Sequence, residues 1–185
     1  HEICPLIEVT ADKRLLWMNS AAHEQIADHP ALIITGGRLR ARNRSHEARL
    51  QDAVAWAYRL SKRAVAQTPA SRLARAVVLG EGETAAPVFC WVLVEDGKIL
   101  VSFNDDQLLK RRVAIAQGIY SLSTAQAQLA NLVAQGFDLA AAAEKLGITI
   151  NTVRTHLQRM FDKTGVHSQS ALVGLLLSAE APTAR

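Results

Sequence analysis

The 185-residue chain reads as an α+β protein in two parts, an antiparallel sheet with helices followed by an all-α domain of four helices. Three observations predict this. Up to about residue 105, short apolar and β-branched runs are separated by Gly- and Pro-containing turn signals. Beyond residue 122 such runs stop, and apolar residues recur at the three-to-four spacing of helices. The chain is also long enough for two small cores, and its hydrophobic content of 49% with 5% aromatics is that of an ordinary alanine-rich protein. Residues 1–107 form the expected sheet domain, 108–121 a connecting helix and 122–185 the helical domain.

Taken in order, Pro5 to Asn19 reads as a hairpin. PLIEVT is one strand, Asp12-Lys13 the turn and RLLWMN the return strand. Ser20 is placed to cap a short helix through Ala27, which Pro30 ends. LIITGG and RLRARNR are extended pieces around Gly36-Gly37. Ser45 begins a long helix to Ala66, in which Leu50, Val54, Ala57 and Leu60 or Ser61 stack at helical spacing. Thr68-Pro69 breaks the chain. Three strands follow, RLARAVVL (72–79), PVFCWVLVE (87–95) and KILVSF (98–103), with Glu81-Gly82 and the tight-turn pair Asp96-Gly97 between them. An amphipathic helix, LLKRRVAIAQG, leads into the last part.

There, Ser123 and Gln126 have the spacing of a capping box, and Asp138 can cap the Ala-rich helix LAAAAEKL. Gly147 supplies the left-handed stop, and a second helix starts after Thr149. Helix, three-residue turn and helix is the helix-turn-helix arrangement, whose second helix is the groove reader. Ile150, Val153, Leu157, Met160 and Phe161 make its buried stripe. Its opposite side carries Asn151, Thr155 and Gln158, flanked by Thr152, Arg154 and Arg159. Short hydrogen-bonding groups with arginines and no Glu suit base edges and phosphates. Asp162 is the exception, in the last turns. Ser168 is placed to cap a final helix, SQSALVGLLLS, in which Ala171, Leu172, Leu175, Leu176 and Leu177 exceed the apolar surface that one small domain needs. The surplus suits a dimer contact. The tail from Glu180 reads as frayed.

The segments LSTAQAQLANLVAQG, AAEKLGI, NTVRTHLQRMFDKTGV and SQSALVGLLL together resemble the DNA-binding domain of LuxR/FixJ-type transcription regulators over Leu122 to Leu177. The resemblance implies double-stranded DNA as partner and a homodimer as the acting form. It places Arg154 on a base, Asn151, Thr155 and Gln158 in the groove, and Thr149, Thr152, Arg159 and Lys163 on phosphates. Gln126 departs from the family, which usually has glutamate there, and His156 stands where the family often has His. Two strands, helices and three further strands, with WMNSAA at the first strand-to-helix junction, resemble a PAS-like sensor domain in such regulators. An unidentified small-molecule ligand or protein partner is the implied signal. The chain opens at His1 without an initiator Met, which leaves open whether the N-terminus is trimmed.

Composition narrows the alternatives. Net charge is +4, and the helical part is barely basic, with 5 Lys/Arg against 4 Asp/Glu over residues 122–185 and 16 against 13 before them. So few cations predict a shallow salt dependence for one copy and a need for two copies on adjacent half-sites. No run of about 18 apolar residues spans a membrane, no signal-peptide pattern opens the chain, and the cytoplasm is the expected compartment. Cys4 and Cys90 match no metal spacing and read as small buried thiols in a reducing compartment. His23, His29 and His46 lack ligand spacing, so neither metal nor cofactor is expected. No phosphate loop, nucleophile elbow or carboxylate set suggests catalysis. Arg38, Arg40, Arg42 and Arg44 alternate along an extended segment, as an anion site or, better, a charged edge that discourages strand pairing. Trp17, Trp56 and Trp91 read as core, with a ligand cavity as the alternative. The alternative to a DNA-binding regulator is a protein-interaction module that titrates related regulators without binding DNA.

Overall fold

The structure is a computed structural model that describes residues 4–63, 73–81 and 87–179. The chain divides into two compact units, His1–Gly80 with Val88–Asp105, and Asp106–Arg185 with Glu81–Pro87. Expectations for the end of the long helix at Ala66, for the Thr68-Pro69 break, for Gly82 and for the tail lie outside the described residues. No described helix is long and apolar enough to cross a membrane.

In the first unit, β1 (Leu6–Val9) and β2 (Leu15–Met18) form the expected hairpin, with Lys13 in the left-handed region at its turn. Helix α1 (Ser20–Gln25) follows, but its cap is Asn19 and not Ser20. The Asn19 side chain accepts from Ala22 N at 2.9 Å and Leu6 N at 3.1 Å and donates to Cys4 O at 2.8 Å. It therefore joins the start of β1 to the helix as well as capping it, which a Ser side chain is too short to do. Strands β3 (Leu32–Thr35) and β4 (Arg38–Ala41) form a two-stranded hairpin through Gly36-Gly37, both at positive φ as a type I′ turn requires.

Arg44 opens α2 (Arg44–Arg63), so only Arg38 and Arg40 of the four arginines lie on a strand. The row ends where the Asn43 side chain accepts from Ser45 N and starts the helix. Strands β5 (Leu73–Glu81), β6 (Pro87–Glu95) and β7 (Lys98–Ser102) complete a five-stranded sheet in the order β2-β1-β7-β6-β5. β1 pairs with both β2 and β7 antiparallel, which brings the first and last strands together at the centre. Asp96 and Gly97, both at positive φ, close the β6–β7 hairpin. This is a PAS-like architecture.

A core lies on one face of the sheet. Leu50, Ala53, Val54 and Ala57 of α2 pack with Ile7, Val9, Cys90, Val92, Val94, Ile99 and Val101 from one sheet face. Burial there raises the Cys90 thiol to about 12, so it is an inert apolar group. Of the three tryptophans, Trp91 is buried, Trp56 is half-buried against the core, and Trp17 is 50% exposed on the edge strand β2. Trp17 thus departs from the core expectation: on this edge strand it and its neighbour Leu16 are both exposed. Among the described residues no group of three His, Cys, Asp or Glu side chains could hold a metal ion.

From Asp106 onward the described elements are all helices: α3 (Asp106–Tyr120), α4 (Thr124–Ala134), α5 (Leu139–Leu146), α6 (Ile150–Thr164) and α7 (Gln169–Ser178). Helix α3 packs on α4 and α7, burying Leu108, Leu109, Val113 and Ala116. The buried Arg112 donates to Ala179 O at 2.6 Å, which sets a cation on the free carbonyls at the end of α7. Leu172, Val173, Leu176 and Leu177 are buried within the unit, leaving Leu175 half-buried and Ala171 exposed. Much of the apolar surplus of α7 is therefore spent inside the chain, on a helix whose packing partner short-range periodicity does not reveal.

Candidate nucleic-acid interface

The recognition element is built from three local choices. Asp138 caps α5 by accepting from Ala141 N at 2.7 Å. Ala142 and Ala143 are its buried positions, and small side chains there let α5 lie close against α6. Gly147, at φ 64° and ψ 32°, stops α5 in the left-handed conformation that a residue with a Cβ adopts only at a cost. Thr149 then caps α6, its Oγ1 accepting from Thr152 N at 3.2 Å. Gly147 to Thr149 is the three-residue turn between the two helices.

Helix α6 sorts its side chains by face. Val153, Leu157 and Met160 are buried, and Phe161 is half-buried. Ile150 departs from the expected stripe at 36% exposure, because it occupies the first helical position, ahead of the turns that pack. The eight expected contact residues, Thr149, Asn151, Thr152, Arg154, Thr155, Gln158, Arg159 and Lys163, are all exposed. Their hydrogen bonds are mostly local. Arg154 NH1 donates to Asn151 Oδ1 at 3.3 Å, Thr155 Oγ1 to Asn151 O at 3.0 Å, and the Thr149 and Thr152 hydroxyls lie 2.9 Å apart. Gln158 Nε2 donates to Asp162 Oδ1 at 3.0 Å.

Lys163 stands apart from this set. Its ammonium donates to Ser121 O at 2.7 Å and to Gln126 Oε1 at 2.9 Å, tying the end of α6 to the start of α4. Gln126 is itself buried and completes the capping box, accepting from Ser123 N at 2.9 Å while Ser123 Oγ accepts from Gln126 N at 3.2 Å. Of the three Lys163 protons, two are thus engaged inside the domain. That role connects residues 37 and 42 positions apart and has no local sequence signal. His156 is half-buried on the flank of α6, and its Nδ1 makes no hydrogen bond among the described residues.

A capped helix, a Gly turn and a second helix presenting an almost acid-free polar face define a helix-turn-helix domain. Residues 120–176 match the family profile of bacterial regulatory proteins, luxR family. This part of the chain is similar to a luxR-family domain, and that family is one of bacterial regulatory proteins. No curated protein matches the chain. Remote likenesses over the whole length are found among solved structures. A Vibrio cholerae VqmA–ligand–DNA complex shares 14% identity at a TM-score of 0.38, covering 98% of this chain and 87% of that one. A phage VqmA–DPO complex shares 11% at 0.32, covering 97% and 87%. A Vibrio cholerae VqmA dimer in the absence of target DNA shares 13% at 0.34, covering 96% and 83%.

Proposed function

We propose that the chain is a sequence-specific transcription regulator that binds double-stranded DNA as a homodimer in the cytoplasm, under the control of a small molecule or protein partner at its PAS-like unit. The observation that carries the reading is the outer face of α6. Six hydrogen-bonding or cationic side chains, Asn151, Thr152, Arg154, Thr155, Gln158 and Arg159, stand exposed on it while Val153, Leu157 and Met160 anchor the other side. A solvated helix face ordinarily mixes both signs of charge, whereas this one has a single carboxylate, Asp162. Arg154 is assigned to a base edge, Asn151, Thr155 and Gln158 to groove reading, and Thr149, Thr152, Arg159 and Lys163 to phosphates. The functional division is residues 1–107 for the signal, 108–121 for the connection and 122–185 for DNA. Control works as a population shift: a ligand that binds one dimer geometry better changes the spacing of two recognition helices.

Selection of bound sequences from a random duplex pool, followed by titration of the winner at two salt concentrations, tests this. The expected result is a two-fold symmetric site whose affinity falls as salt rises. Absence of salt-sensitive binding to any duplex would instead leave a protein-interaction module that titrates related regulators.

A further inference from the structure

The hydrogen bond between Gln158 and Asp162 has a consequence for which base is read. An Asp carboxylate only accepts, so it takes the amide nitrogen of Gln158 and never the amide oxygen. Gln158 makes no other hydrogen bond among the described residues, and both side chains are exposed on the outer face of α6. One amide proton is therefore held at 3.0 Å by Asp162, one turn further along the helix, and the flip that interchanges the oxygen and nitrogen is suppressed. The groups left to face outward are the Oε1 acceptor and the second Nε2 proton. That pair is complementary to adenine, whose N6 amino group donates and whose N7 accepts in the major groove.

The contrast with Asn151 sharpens the point. Its Oδ1 already accepts from Arg154 NH1, while both amide protons remain to donate. The first turn of α6 thus presents donors from Asn151 and Arg154, which suit guanine N7 and O6 or thymine O4, and Gln158 presents an acceptor further along.

Resting on the DNA-binding reading above, we infer that Asp162 is a positioning residue that fixes the Gln158 amide so that the chain selects an amino-bearing base, adenine before cytosine, at one position of each half-site. It also explains why an acidic side chain stands on this face. Its repulsion from phosphate is set against discrimination between bases.

The test uses the full chain and a duplex panel in which every base pair of the selected half-site is varied. Wild type is expected to prefer A·T in one orientation over T·A, G·C and C·G at one position by about five-fold, the worth of one net hydrogen bond. Gln158→Ala should erase the preference at that position alone. Asp162→Ala should weaken it by about twofold or more there, because both amide orientations become available. Asp162→Asn, whose amide can donate to Gln158 Oε1 as well as accept from Nε2, should weaken it too, and Asp162→Glu, which only accepts, should restore it. The neutral Ala and Asn variants should bind all sequences somewhat more tightly, since a charge that repels phosphate is gone. The inference is overturned if Asp162→Ala keeps wild-type discrimination where Gln158→Ala loses it, if Gln158→Ala changes no position, or if the position that Gln158→Ala relaxes does not select A·T. A wild-type chain that binds no duplex would overturn the regulator reading itself, a different outcome from any of these.

Discussion

Strand β4 and helix α6 both set arginines at regular spacing on exposed surface, yet their surroundings differ. Beside β4, Arg38 lies 2.9 Å from Asp12, and Arg42 donates to the backbone oxygens of His29 and Ala27 at 2.9 and 3.1 Å. The Thr10 hydroxyl, and after it Arg38, hold the Asp12 carboxyl below its ordinary range, so the anion is present to be paired. Of that row, the Arg40 and Arg44 side chains make no hydrogen bond or ion pair among the described residues. On α6, Arg154 touches the neutral Asn151 amide, and Arg159 has no such partner among the described residues. The lesson is that a row of cations says little until each is asked what it already neutralises. Those of the sheet unit are largely spent on its own fold, and those of α6 are available to a polyanion.

The sharpest way to break this comparison is through Lys13. Its side chain is 7% exposed and its ammonium pairs with Glu47, whose other oxygen accepts from Ala41 N at 2.7 Å. The pair thus ties the β1–β2 turn to the β3–β4 hairpin through α2. Lys13→Met should destabilise the chain by about 2–3 kcal/mol in urea unfolding, because the partly buried Glu47 loses its cation. The double variant with Glu47→Gln should recover a good part, since the amide oxygen still serves Ala41 N. Equal stability of the wild type and the Lys13→Met single variant would mean that the sheet unit's cations are not spent on its fold.

Next in size is binding. Arg154→Ala should cost about 1–3 kcal/mol on the preferred duplex and relax the sequence requirement at one position. Arg40→Ala, equally exposed, should change neither affinity nor stability beyond about 0.5 kcal/mol. An equal loss for Arg154→Ala on all duplexes would move that residue from base to phosphate.

These contrasts mark what the sequence could show. Gly36-Gly37, Asp96-Gly97, Asp138, Gly147 and the Ser123–Gln126 box are local signals whose physics is complete within a few residues, and each sits where it was expected. Asn19 was missed because it and Ser20 are both good caps. What separates them is the bonding to Leu6 and Cys4, an effect of the sheet. The pairs Lys13–Glu47 and Lys163–Gln126, the burial of α7 on α3 and the exposure of Trp17 all depend on distant neighbours. Periodicity finds which face of an element is apolar, not what it meets. The polar outer face of α6, with its single acid, is legible for the converse reason, being defined by what nothing in its own unit covers.

A pH-dependent contrast comes third. His29 Nδ1 accepts from Ala31 N at 3.1 Å and Leu32 N at 2.9 Å, and its ring meets Phe103 edge-on at 4.8 Å. A nitrogen that accepts twice carries no proton, and burial, then the Arg42 charge, bring the folded-state value down to about 4 from 6.5. The unfolded chain therefore takes up the proton first as pH falls. This contribution to stability is complete above about 6.5 and declines towards pH 4. Urea midpoints between pH 7.5 and 5 should fall more steeply for wild type than for His29→Asn, which stays neutral and keeps an acceptor. Parallel slopes would remove His29 from the account.

The smallest effect concerns Lys163, which stands between the spent and the available cations. Gln126 uses only its oxygen, accepting from both Ser123 N and Lys163 Nζ, and its Nε2 makes no hydrogen bond among the described residues. Gln126→Glu therefore loses no hydrogen bond seen here and turns a neutral acceptor into a charged one facing an exposed ammonium. Against this stands the cost of placing a carboxylate at a buried position, which limits the gain to a few tenths of a kcal/mol, about that of an exposed ion pair. The same change draws Lys163 inward. Affinity for unrelated duplexes should then fall slightly while thermal stability rises, and the slope of binding against salt should flatten. A rise in stability with an unchanged salt slope would mean that the amine was already committed to α4 and belongs with the spent cations of the sheet.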